Sequence, residues 1–175
     1  MRKALFLLGI LEDGDLDWMI AAGAKREVAS GSTLIAEGHA VEDVFVLLDG
    51  VLAVRTARGG AGDIAQLHAG EIVGEMSFVD ARPPSASVVA LAPAVVLAIP
   101  RAALARKLLD DIPFAARFYR SLAVFLSDRL RSTVGRLGYG RADDEEEEEM
   151  APDTLDNLAL AGARFDWLQR RLKEL

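Results

Sequence analysis

The sequence predicts a mainly β domain with flanking helices, followed by a long helix in its C-terminal half. Two observations carry that reading. From Arg26 to Ile99, short β-branched and apolar runs are cut by glycines at steady intervals. After Pro100 the apolar residues recur at spacings of three and four, which belongs to helices. Many short strands in succession argue for a sandwich, barrel or jelly roll rather than a parallel sheet.

The first helix is expected at "DGDLDWMIAAGA", where acids precede Leu16, Met19 and Ile20. Strands are expected at Thr33–Ala36, Val44–Leu48, Val51–Thr56, Asp63–Leu67, Ser87–Ala90 and Val95–Ile99. Asp49-Gly50, between two apolar runs, reads as a tight hairpin, and "ARGGAGD" as a looser hairpin tip. "RAALARKLL" is helical, and "DDIP" breaks it and caps a new helix from Phe114 to about Leu137. That helix carries an apolar stripe of Phe118, Leu122, Phe125, Leu126, Leu130, Val134 and Leu137. A tail with the same spacing runs through Leu155, Leu158, Ala161, Phe165, Leu168, Leu172 and Leu175.

A chain of 175 residues, 51% hydrophobic, can bury one substantial core and carry an appendage. No apolar run approaches the roughly 18 residues of a membrane helix, so membrane insertion is not expected. The N-terminal apolar stretch is short and meets Glu12 and Asp13, so it reads as the first element of the mature fold, not a signal peptide. The absence of cysteine excludes disulfides and thiolate metal sites, and a cytoplasmic location is expected. The net charge of −7 is local: without the seven acids of Asp143–Glu149, the remaining 20 acids balance 20 Lys and Arg. Such a body is a poor nucleic-acid binder, since that affinity rests on releasing counterions from phosphates. No nucleophile–base pair, Walker-type loop or metal cluster is present in the pattern, and no catalysis is expected.

The stretch "GEIVGEMSFVDARPPSASVVA", residues 70–90, holds the most chemistry. One reading is turn punctuation by Gly and Pro. The other is a phosphate cradle, which without a metal needs several N–H donors directed at one spot. Gly74, lacking a Cβ, permits close backbone approach, and Met76, Ser77 and Phe78 begin a helical turn. Pro83-Pro84 hold an extended corner that leads into the N–H donors of Ser85 and Ala86.

The order of a short helix, about eight strands, a glycine–glutamate cassette and a long helix resembles the cyclic-nucleotide-binding domain family. That family includes bacterial catabolite activators and the regulatory subunits of eukaryotic kinases. The resemblance covers roughly Leu11 to Leu137, and "VGEMSFVDARPPSASV" is similar to the family's phosphate-binding cassette. Gly38, Gly50 and Gly70 fall where the family's turns lie. The resemblance implies a double-stranded β-helix (jelly roll) over residues 26–100 and helices over 101–137. An acidic linker over 138–152 and an amphipathic helix over 153–175 would follow. It implies cAMP or cGMP as ligand, no metal, and a site formed by Gly74, Glu75, Met76, Ser77, Ser85 and Ala86, with Glu75 on the ribose hydroxyls. Thr133 would add a contact from the long helix, which would also pair two copies of the chain through Phe114–Leu137. The whole resembles small stand-alone bacterial members without a DNA-binding domain, some of them associated with bacteriocin-type export. Only about 38 residues follow the long helix, short for the winged-helix domain of the activators.

One departure stands out: Pro84 occupies the place of the arginine that pairs with the cyclic phosphate. A charge-assisted bond of that kind is worth about 1.5–3 kcal/mol, or roughly ten- to a hundredfold in affinity. Arg82, two residues earlier, is the candidate to replace it. Two functions follow. One is a non-catalytic sensor that signals through its long helix to a second copy or to a protein partner, with the acidic linker and tail helix as further contact elements. The other is a ligand-free module of the same fold used for assembly.

Overall fold

The structure, a computed structural model, describes residues 6–57, 62–136 and 152–173. Two helices, α1 (Phe6–Ile10) and α2 (Asp13–Ala22), precede the strands. The strands are β1 (Ala24–Val28), β2 (Thr33–Ile35), β3 (Asp43–Asp49), β4 (Val51–Arg55), β5 (Ala65–His68), β6 (Ile72–Val73), β7 (Ser87–Ala90) and β8 (Ala94–Pro100). A short helix, α3 (Glu75–Asp80), lies between β6 and β7. The chain then enters α4 (Arg101–Asp110), α5 (Ile112–Arg136) and α6 (Pro152–Lys173). The strands form two antiparallel four-stranded sheets, ordered β1-β8-β3-β6 and β2-β7-β4-β5, a jelly-roll-like sandwich with flanking helices.

The two sheets have different surroundings, and the sequence explains why. In β3, Phe45 and Leu47 point between the sheets, while Val44, Val46 and Leu48 point beneath the helices. In β8, Ala94, Val96 and Ala98 face the other sheet, while Leu97 and Ile99 face the helices. Both strands are therefore continuous apolar runs, as two-sided burial requires. The second sheet alternates instead, as in β7, where Val88 and Ala90 are buried and Ser87 and Val89 are partly exposed.

Several sequence expectations need correction. Asp49-Gly50 does not close a hairpin: β3 pairs with β8 and β6, whereas β4 pairs with β5 and β7. The two residues carry the chain from one sheet to the other, because apolar side chains on both faces of β3 demand a helix-covered sheet and β4 belongs to its partner. Strands β1 and β6 were not anticipated; β1 is mostly exposed and charged, and β6 is only two residues long. The fourth expected strand is shifted to Ala65–His68, and it does pair with β4 as a hairpin whose tip at 58–61 lies outside the described residues. The linker at 138–151 and Leu137 also lie outside them.

At the α4–α5 junction, Asp111 accepts a bond from the Phe114 N–H at 3.0 Å and from Lys107 Nζ at 2.7 Å, so one residue ends one helix and caps the next. Phe114, Phe118, Leu122 and Phe125 sink into the helical core. The apolar stripe leaves the core beyond that point, and Leu130 is 65% exposed. At the other end, Arg117 makes a two-pronged pair with buried Asp15, at 2.7 and 2.8 Å, joining α5 to α2. Burial alone raises the Asp15 pKa, but the Arg117 bonds and the Glu12 N–H outweigh it and hold the carboxyl below its ordinary value.

Helix α6 packs on this same body. Ala161, Phe165, Leu168 and Leu172 join the core that contains Leu8, Leu11 and Met19. Arg164 bonds Asp13 at 2.8 Å and reaches the Leu8 and Gly9 carbonyls, Lys25 donates to the Leu172 carbonyl at 2.7 Å, and the Gln169 amide donates to the Leu48 carbonyl. Helix α1 is wedged between α5 and α6.

Gly50 has φ +92°, and a Cβ there would sit 2.7 Å from Ala94 Cα and from the Pro93 carbonyl oxygen. Gly31, at φ +79°, has open space. Gly50→Ala is therefore expected to lower unfolding free energy by more than about 2 kcal/mol, against about 1 kcal/mol for Gly31→Ala, as read from paired urea titrations.

Candidate ligand-binding site

The site is built by two turns and a helix. Strand β6 ends at Gly74, whose φ of +86° turns the chain into α3. A Cβ at Gly74 would meet the Asp43 carbonyl oxygen at 3.1 Å, so the close approach of the backbone requires glycine. Helix α3 ends at Ala81 in the left-handed region (φ 57°), and Pro83-Pro84 follow as an extended corner. That corner is pinned by the Gly38 N–H, which donates to the Pro84 carbonyl at 2.8 Å. Ser85 and Ala86 form the bend into β7.

Between these parts lies a cavity of about 290 Å³. Pockets for small molecules begin at roughly that size. Its walls include Gly74, Glu75, Met76, Ser77, Arg82, Ser85 and Ala86, so seven residues singled out in the sequence come together. Ile35, Val54, Leu67, Val73 and Val88 supply an apolar floor from the sandwich. Met76 and Ser85 are exposed at the mouth, whereas Glu75 and Ser77 are buried. Arg82 borders the cavity but is 84% exposed, with its Nε 4.0 Å from Asp80 Oδ2.

Thr133 needs correction. It does not line this cavity; it lies on exposed α5 surface, and its hydroxyl donates to the Arg129 carbonyl at 2.9 Å. Among the described residues of α5, Arg129, one turn earlier, lines the cavity. Its Nη1 donates to Glu75 Oε1 at 2.7 Å, and its Nη2 lies 3.5 Å from both Glu71 Oε2 and the Ile72 carbonyl. The guanidinium also sits over the Phe125 ring at 4.5 Å. The signal for Arg129 was its position four residues after Phe125, on the face that turns toward the sandwich.

A second arginine supports the site from behind. Arg101, at the start of α4, donates to the Val41 carbonyl at 3.0 Å and to the Ser77 carbonyl at 2.8 Å, and it packs on Phe78. It fixes α3 against the body without entering the cavity.

Glu75 is 2% exposed. Burial raises its pKa above the ordinary carboxylate value; Arg129 and the N–H groups of Glu75 and Met76 oppose that shift, and Glu71 adds to it. The upward shift prevails because a carboxylate removed from water loses more than one guanidinium returns. No group of acids and histidines among the described residues is arranged to hold a metal. Nor is any described helix long and apolar enough to cross a membrane.

A raised pKa means that the folded state holds the Glu75 proton more tightly than the unfolded chain does. Its contribution to stability is complete below the ordinary value of 4.5 and is lost as pH rises through the higher folded value. The unfolding free energy of the wild type, relative to Glu75→Gln, is expected to fall with pH across that window and level off above it. Urea titrations at a series of pH values check this; a flat difference overturns it.

Residues 25–111 match the model of the cyclic nucleotide-binding domain. The chain is 30% identical over 118 residues to a cAMP-dependent protein kinase regulatory subunit of Blastocladiella emersonii, a match that takes in 66% of this chain and 29% of that one. The chain thus spans under a third of that relative's length. Among solved structures, it is similar to a cyclic nucleotide-binding domain from Methylobacillus flagellatus KT, with a TM-score of 0.68, 25% identity and 76% of each chain covered. It is also similar to the N-terminal domain of a transcriptional regulator from Streptomyces coelicolor A3(2), with a TM-score of 0.60, 28% identity, and 73% and 90% covered. Over residues 25–111, which hold the strands and the cassette, the chain is thus similar to the cyclic nucleotide-binding domain family.

Proposed function

We propose that the chain is a non-catalytic sensor that takes a cyclic nucleotide, cAMP or cGMP, in the cassette cavity and reports its occupancy through α5. The observation that carries this reading is the shared cavity: cassette residues on one side, an apolar floor below, and Arg129 reaching in from α5. A ligand touching both cassette and helix has a different affinity for each position of that helix, which is what a switch requires. The relative in Blastocladiella is a cAMP-dependent kinase regulatory subunit, and the ligand class is carried over from it.

The output reads as a second copy of the chain. Along α5, Ile112, Ala116, Tyr119, Ala123 and Leu130 are exposed at alternating three- and four-residue steps, with partly buried Leu126 in register. That spacing is a seam for another helix. Tyr119→Glu combined with Leu130→Glu is expected to convert a dimer to a monomer in sedimentation velocity. A wild type that is monomeric at micromolar concentration removes this part of the reading.

The ligand-free assembly module remains the second reading, favoured by Pro84 and by the Glu75 carboxylate, which Arg129 already holds. Thermal unfolding separates the two. A ligand at a hundred times its dissociation constant adds about 2.7 kcal/mol, equivalent to about 5–10 °C for a chain of this size. Such a shift with cAMP or cGMP supports the sensor; an unchanged midpoint with both at millimolar concentration supports the module.

A further inference from the structure

Resting on that reading of the cavity, we infer that Arg129 is the residue that pairs with the ligand's anionic group, so the anion is read from the moving helix and not from the cassette. Pro84 stands where the cassette would carry its cation, and it has neither charge nor N–H. Among the described residues, Arg101, Arg82 and Arg129 are set against the cassette. Arg101 is turned away, with Nη1 on the Val41 carbonyl and Nη2 on the Ser77 carbonyl. Arg82 lines the rim, but its side chain extends into solvent beside Asp80. Screening there leaves it little pull on an anion.

Arg129 differs on each count. Its guanidinium lines the cavity, its side chain is 29% exposed, and the Phe125 ring beneath it fixes its direction. One of its nitrogens makes a short bond to Glu75, whereas the other's contacts among the described residues are long, 3.5 Å to Glu71 and to the Ile72 carbonyl. A guanidinium offers five N–H donors in a fork, so an anion can take that second nitrogen while Glu75 keeps the first. Glu71 lies 3.5 Å from that nitrogen, so an anion bound there takes Glu71's place on it, while Ser85 and Ala86 line the same cavity. An anion held by Arg129 thereby ties the ligand to α5.

The test is a transfer of the cation within the full-length chain. Affinity for cAMP and cGMP is measured by calorimetry for wild type, Arg129→Gln, Arg82→Gln, Pro84→Arg, and Pro84→Arg combined with Arg129→Gln. Arg129→Gln is expected to weaken binding roughly ten- to a hundredfold, and Arg82→Gln by less than about threefold. Pro84→Arg should recover at least about tenfold in the Arg129→Gln background, because it restores a cation on the other wall. A merely structural role for Arg129 would not be rescued from position 84, so a folded double variant without recovery overturns the inference. So does a loss confined to Arg82→Gln, or an Arg129→Gln affinity within about twofold of wild type. If Arg129→Gln does not fold, Arg129→Lys replaces it, keeping the charge but losing the fork, and an unchanged affinity there counts against the assignment. Absence of binding by the wild type defeats the nucleotide reading itself, and is thereby told apart from failure of Arg129 alone.

Discussion

Burial of β3 and β8 on both faces is the constraint from which the rest of the architecture follows. Strands β3 and β8 carry apolar side chains in both directions, so one face needs the second sheet and the other needs a layer of helices. That layer is drawn from both ends of the chain: α1 and α2 before the strands, α5 and α6 after them. Since α5 must cover the sheet beside β6, its later turns run past the point where β6 leads into the cassette. The reach of Arg129 to Glu75 is thus a consequence of the core.

The two ends of α5 are held by different physics. The first half is buried through Phe114, Phe118 and Leu122, and Arg117 grips Asp15 with two bonds. Beyond Phe125 the helix has exposed apolar residues such as Leu130, Leu126 packs only partly against the core, and Arg129 bonds Glu75. The fully buried aromatic side chains and paired carboxylate of the first half resist displacement more than a half-buried leucine and a guanidinium in the second. A perturbation at Glu75 acts on the half of the helix with the least to lose.

Much of this was legible in the sequence, and the failures have physical causes. The apolar runs of β3 and β8, the Asp111 cap and the cassette glycine and glutamate announce themselves, because each rests on a local requirement of burial, capping or backbone conformation. Asp49-Gly50 misled because a turn dipeptide specifies a reversal and not the partner of the strand that follows. Strand β1 was missed because "AKREV" is an exposed edge with no apolar alternation, and it forms by pairing with β8, which no local pattern announces. Arg129 was missed for a different reason. Its role depends on which face of a long helix meets a loop more than fifty residues away, and Thr133 on the next turn offered a more familiar chemistry. Arg101 had no local signal, since its partners are backbone carbonyls.

The attachment of α6 brings the far end of the described chain back onto its beginning. The helix is fixed by Leu168 and Leu172 in the core and by Arg164, Gln169 and Lys25 at its edges. Its partners sit on α1, α2, β1 and β3, so stripping its apolar face would uncover both α1 and the helix-covered side of the β1-β8-β3-β6 sheet.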